Sequence, residues 1–114
     1  MKLLIVLLAI CYGANLYANE TIVRGEISLL GIIKVEEAAT VRLKDVELDH
    51  TTNNHPCGKY NNLTIQLDTE AGRAMYSQLL AAYMAGRSVR IDYSNYSCGL
   101  WGNQPIATRV YFGA

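Results

Sequence analysis

The chain has 114 residues, ten basic side chains against ten acidic ones, and a hydrophobic share of 51%. That length holds one domain. A zero charge balance excludes a general DNA or RNA binder, which needs an excess of Lys and Arg to displace counterions. No repeat, low-complexity tract or Pro-rich linker interrupts the sequence.

Met1-Lys2 is a short positive start, and an apolar run follows from Leu3 to Cys11. Small and polar residues then lead to Leu16-Tyr17-Ala18. This is the charged start, apolar middle and small-residue exit of a secretory signal peptide. The run falls short of the roughly 20 apolar residues that span a bilayer. Residues 1–18 are therefore expected to be a cleaved leader and residues 19–114 a single exported domain, secreted or periplasmic. Leu8-Ala9-Ile10-Cys11 is lipobox-like, but Ile10 stands where a small residue is wanted, so processing at Cys11 is the weaker reading. No later segment is apolar for long enough to act as an anchor. Without the leader the hydrophobic share falls to about 45% and the charge to about −1, values of an ordinary soluble domain.

Loss of Cys11 leaves Cys57 and Cys98. In an oxidising compartment a lone pair in a small domain is expected to form a disulfide. Closing a loop of about 41 residues stabilises a fold by roughly 4 kcal/mol on the chain-entropy account. Asn-x-Ser/Thr triplets at Asn19, Asn62 and Asn95 are common by chance in such a composition, and are read as incidental.

Val23 to Val35 alternates over an unusual length, with Val23, Gly25, Ile27, Leu29, Gly31, Ile33 and Val35 at the odd positions. Glycines on the inward face permit a bend, so one long curved strand is expected. A second strand runs from about Thr40 to Leu48, and its parity switch predicts a bulge near Lys44-Asp45. A polar loop, His50 to Asn62, precedes a third strand at Leu63–Leu67.

Asp68 or Thr69 can cap a helix from Glu70 to Ala85, stopped by Gly86. Ala71, Met75, Leu79 and Ala82 or Tyr83 form its expected buried stripe. The opposite face carries Arg73 and Ser77 but turns apolar at Ala81 and Met84. It is either a loosely amphipathic helix or a face that meets another subunit. A fourth strand follows at Ser88–Ser94, with Val89, Ile91 and Tyr93 inward and Arg90 and Asp92 outward. After a loop from Asn95 to Gln104, the last strand spans Ile106–Phe112, with Ile106, Thr108, Val110 and Phe112 on one face. Three strands, one helix and two strands make a mainly β domain in the order of a five-stranded OB-fold barrel. A plain α+β sandwich has the same element order. Either way, the loops after strands two and four must meet if Cys57 and Cys98 are to join.

No Gly-rich phosphate loop, HExxH or GxSxG pattern is present, so no enzyme activity and no cofactor is expected. Asp49, His50, His55 and Cys57 share one loop and include zinc-ligand types. Their spacing fits no standard finger and a disulfide would consume Cys57, so no metal is expected. Asp45, Glu47 and Asp49 alternate as one solvated strand face. The loops expected to be joined by the disulfide gather Tyr60, Asn61, Tyr93, Tyr96, Trp101 and Asn103. Flat apolar rings among amide donors and acceptors suit sugar rings and protein interfaces alike, and also serve simply to cover a small core.

The segment from Gly72 through Tyr76, Tyr83, Gly86, Arg87 and Val89-Arg90-Ile91-Asp92-Tyr93 carries a pattern of helix, Gly, basic residue and Val-Arg-Ile-x-Tyr. Over these roughly 22 residues it resembles the B subunits of subtilase cytotoxin and typhoid toxin, and other small exported bacterial proteins. The resemblance implies an OB-fold subunit, a homopentamer that binds cell-surface glycans, and helices lining a pore that receives an exported catalytic A subunit. On that view Arg73, Ser77, Ala81 and Met84 form the oligomer face. Those toxin subunits carry a serine near the start of strand one that contacts sialic acid. Arg24 stands there in this chain, so the sialic-acid specificity does not carry over with the fold. The chain is also shorter after strand four and places its cysteines differently. The leading expectation is a non-catalytic, B-subunit-like glycan-binding module; the alternative is a periplasmic protein that binds, inhibits or supports another protein.

Overall fold

The computed structural model describes residues 20–48, 56–57 and 61–112. Five strands, Glu20–Ile33 (β1), Ala38–Leu43 (β2), Asn62–Gln66 (β3), Ser88–Cys98 (β4) and Pro105–Phe112 (β5), surround one helix, Glu70–Ala85 (α1), which joins β3 to β4. They close into a single sheet in the order β1-β2-β3-β5-β4, with β4 returning to β1. All neighbours are antiparallel except β3 and β5, which run parallel at Thr64 and Ile106.

The long first strand makes the closure. Glu20–Glu26 pairs with β4 and Ile27–Ile33 pairs with β2, and the register shifts between Ile27 and Leu29 where the strand passes from one partner to the other. The extra residue there bends the strand and increases its twist. It also ends the simple parity read from the sequence. Val23 and Ile27 are buried, whereas Leu29 and Val35 are exposed, and Leu30 turns to the core in their place.

The second strand stops at Leu43, earlier than expected. Lys44 and Asp45 form a turn, with Asp45 in the left-handed region at φ 55°. The parity switch in the sequence therefore marks the end of a strand, after which Val46 and Leu48 fold back onto the core. Asp45 and Glu47 are exposed. On β5, Asp92 opposes Arg109 while Tyr93 opposes Ala107, so Thr108 is the extra residue of a second bulge. Ala107 consequently faces the core, and Thr108 and Phe112 are exposed.

The helix has the bounds its capping signals imply. Thr69 is extended and its side chain accepts from the Gly72 N–H at 3.0 Å; Gly86 closes the other end at φ 64°. A Thr69→Ala change is expected to lower stability by about 1 kcal/mol, as a smaller urea midpoint with an unchanged slope. Its buried side is Gly72, Leu79 and Ala82, flanked by Met75 and Tyr76, while Ala71 and Tyr83 are exposed. Inside the sheet, Leu79 packs with Val41, Leu63, Ile65, Val89, Ile91 and Tyr93.

Cys57 and Cys98 are joined, their Cα atoms 5.3 Å apart. The segment after the second strand therefore meets the C-terminal end of β4, which runs on to Cys98 instead of stopping at Ser94, and Cys57 is buried in the contact.

Candidate functional site

The face of β2 and β3 that points away from the core is polar, and most of it is covered. Thr40, Asn62 and Thr64 lie on that side and are buried because residues 99–104, between β4 and β5, fold across them. Nearly every polar atom there has a partner. Arg42 Nε donates to Asn62 Oδ1 (2.7 Å), Asn62 Nδ2 donates to Thr40 Oγ1 (3.0 Å), and Thr40 Oγ1 donates to Gln104 Oε1 (2.9 Å). The Leu100 N–H donates to Thr64 Oγ1 (3.0 Å), and the Gly99 N–H donates to the Gln104 carbonyl (2.6 Å). A buried network so closely partnered is rigid, because each group freed from it would lose its bond without regaining water.

Glycine at 99 lets the connection lie this close. A Cβ there would overlap the side chain of Thr64. With Cys98 held by the disulfide at one end and Gln104 buried and bonded to Thr40 at the other, this connection is a strap fixed at both ends.

Trp101 stands on the strap. Its backbone is left-handed, at φ 53° and ψ 17°, and the residue is 62% exposed. Gly102 follows at φ 69°. A non-glycine residue in the left-handed region stores of order 1 kcal/mol or more, and such strain persists where the surroundings enforce it. Here the enforced conformation holds a large flat apolar surface in solvent. Tyr96, 64% exposed, lies two residues before Cys98 on β4. Asn103, two residues after the indole, is half-buried, and its Oδ1 is a buried acceptor with no hydrogen-bond partner. A cavity of about 180 Å³ beside Gly99 and Leu100 is lined by Glu36, Glu37, Gln66 and Asp68, a set rich in acceptors.

The other expected ligand residues fall differently. Tyr93 is 1% exposed and packed in the core, so it presents no face to a ligand. Its inward position was readable from the strand period. Asn61 is half-buried; its Oδ1 accepts from the Leu48 N–H (3.1 Å), and it lines a separate cleft of about 600 Å³ with Arg42, Lys44, Asp45 and Glu47. Tyr60, Asp49, His50 and His55 lie outside the described residues. Among the described residues no group of three His, Cys, Asp or Glu side chains is placed to hold a metal, and no helix is long and apolar enough to cross a membrane. On α1, Arg73, Ser77, Ala81 and Met84 are all exposed, Met84 at 82%.

On β4, Asp92 points away from the core as the strand period implies, yet it is buried: Arg90 grips its carboxylate through Nε (3.0 Å) and a terminal nitrogen (3.2 Å). Arg90 also lies over the Tyr111 ring, 4.7 Å from its centre. The Asp92 carboxylate raises the pKa of Arg90 above its ordinary value, and a hydrogen bond that Arg109 donates to the Tyr111 oxygen, aided by Glu20, does the same for Arg109. This cluster fixes the outer surface of β4 and β5.

The sequence reading missed the buried network and the left-handed indole. The visible signals were Gly99 beside a half-cystine and Gly102 after Trp101. No protein-family model, curated protein or solved structure matches the chain.

Proposed function

We propose that this chain is an exported, non-catalytic binding module built on an OB-fold barrel, similar in plan to the B subunits of the subtilase and typhoid toxins. The closed strand order and the helix between β3 and β4 support the barrel assignment. The disulfide supports an oxidising, secreted or periplasmic location. The single observation that carries the ligand reading is the exposed indole of Trp101, held in left-handed backbone by a strap that is itself bonded and buried on both sides. The ligand proposed for it is a cell-surface glycan, whose ring stacks on the indole while its hydroxyls meet neighbouring amide and carboxylate groups. Met84 and its neighbours on α1 form the face proposed to meet another copy in a homo-oligomer, on the pattern of a pentamer serving an exported A subunit.

A saccharide array probed with the oxidised mature protein tests the reading. Binding to a defined subset of glycans is expected. Trp101→Ala should weaken it at least tenfold with an unchanged melting temperature, because truncating a solvent-exposed ring removes ligand contact and little core. A protein that binds no glycan, or a Trp101→Ala variant that binds as well as the parent, contradicts it. Capture of a protein partner in place of a sugar would favour the inhibitory or supporting role.

A further inference from the structure

The buried network that holds the strap begins at an exposed residue. Arg42 stands opposite Asn62 in the register of β2 and β3, on the outward side, and is in solvent. Behind it the members are shut from water: Asn62 and Thr40 are each 8% exposed, and Gln104 3%.

The chemistry of these groups gives the network a direction. A guanidinium carries only donors, so the Asn62 amide must turn its oxygen towards Arg42 Nε and its nitrogen inward. That nitrogen donates to Thr40 Oγ1, which leaves the one hydroxyl proton of Thr40 to go to Gln104 Oε1. Were Asn62 turned the other way, its oxygen would take the Thr40 proton, and Gln104 Oε1 would face another oxygen with no hydrogen between them. Each orientation is set by the one before it, and the first is set by Arg42.

At the far end, Gln104 is the clasp of the strap. Its side chain takes the Thr40 proton, and its backbone carbonyl accepts from the Gly99 N–H (2.6 Å) and from Thr64 Oγ1 (3.4 Å). Thr64 Oγ1 in turn accepts from the Leu100 N–H (3.0 Å). Gly99 and Leu100 precede Trp101 and Gln104 follows it, so the backbone that carries the ring is held between groups that this relay fixes.

We infer that Arg42 is a positioning residue for the Trp101 site, acting through the direction it imposes on Asn62, Thr40 and Gln104 and not by meeting the ligand. Bonds in such a chain polarise one another, so a charged donor at its head strengthens the links behind it. Without Arg42, Asn62 Oδ1 would face water, which donates and accepts equally, and the relay would lose its single direction. The inference rests on the reading of Trp101 above and adds the residue that orders the ring's support.

The test uses the oxidised mature protein and the variants Arg42→Met, Arg42→Gln, Thr40→Val and Arg42→Met/Thr40→Val. Methionine fills the space without a donor. Glutamine carries its Nε2 the same number of bonds from Cα as the Nε of arginine, and so restores the donor. Position 42 is exposed, so both of its single variants should fold, as circular dichroism will show. Hydrogen exchange at the Gly99 and Leu100 amides reads the strap with no ligand present, and the saccharide array reads affinity. A lost hydrogen bond corresponds to about fivefold, so Arg42→Met should speed exchange at both amides and weaken glycan binding by about that factor. Arg42→Gln should recover most of both. In the Thr40→Val background, where the relay is already cut, Arg42→Met should add nothing. Unchanged exchange in Arg42→Met overturns the inference, and so does a loss that Arg42→Gln leaves unrestored. An effect of Arg42→Met that persists in full in the Thr40→Val background means that Arg42 acts by direct contact, and also overturns it. If Thr40→Val is too unstable to study, Arg42→Met against Arg42→Gln still decides. If no glycan binds the parent, the ligand reading fails, while exchange at Gly99 and Leu100 still decides whether Arg42 sets the strap.

Discussion

Replacing Gly72 with alanine is expected to destabilise the protein by about 3 kcal/mol, against the usual sign for a helix. In an ordinary helical position the change gains up to about 1 kcal/mol, since glycine loses more backbone entropy on folding. Here a Cβ would overlap the carbonyl oxygen of Gln66, the last residue of β3, and would crowd the capping hydroxyl of Thr69. A backbone carbonyl cannot swing aside as a side chain can. The strand would have to shift, and β3 lies in the middle of the closed sheet between β2 and β5. Overpacking therefore outweighs propensity, and the melting temperature should fall by roughly 15 °C. A melting temperature equal to or above the parent's would show that α1 does not approach β3 as described.

Removing the disulfide has the other large effect. The double variant Cys57→Ala/Cys98→Ala is expected to lose about 4 kcal/mol, the loop-closure contribution for 41 residues of separation. A small domain has little stability to spare, so this is a large share of the total. The loss should carry a functional consequence, because Cys98 is one end of the strap that positions Trp101. Reduction should lower the urea midpoint and reduce ligand affinity together. An unchanged midpoint under reducing conditions would contradict this account of the strap.

Much of the fold was legible because its signals are local. Thr69, Glu70 and Gly86 set the helix bounds through caps that act on their nearest neighbours. Cys57 and Cys98 were the only pair once residues 1–18 were read as a leader, and a disulfide between them required the two segments to meet. The strand periods identified Val23, Ile27, Val89, Ile91 and Tyr93 as inward. The failures came where tertiary packing interrupts a period. The shift after Ile27 exposes Leu29 and turns Leu30 inward, and nothing in the alternation itself marks the residue at which β1 changes partner. Thr108 hides a bulge on β5 in the same way.

The site was less readable than the scaffold. In sequence Asn62 and Gln104 look like loop residues and Thr40 and Thr64 like the outward positions of strands, and only the strap folding over β2 and β3 buries them. Asp92 is buried by the grip of Arg90, two residues away on its own strand. Composition singled out Trp101, Tyr96 and Asn103 as loop residues with exposed rings and amides. The structure adds that the indole is exposed and held in strained backbone, while Tyr93 belongs to the core.

Trp101 is the chain's single tryptophan, so its fluorescence reports on the proposed contact without interference. Titrating the oxidised mature protein with a glycan identified on the array should give a saturable change in tryptophan emission, with a midpoint equal to the dissociation constant measured by calorimetry. A glycan that binds by calorimetry while the emission of Trp101 stays constant would contradict the central claim that the strap presents this ring to the ligand.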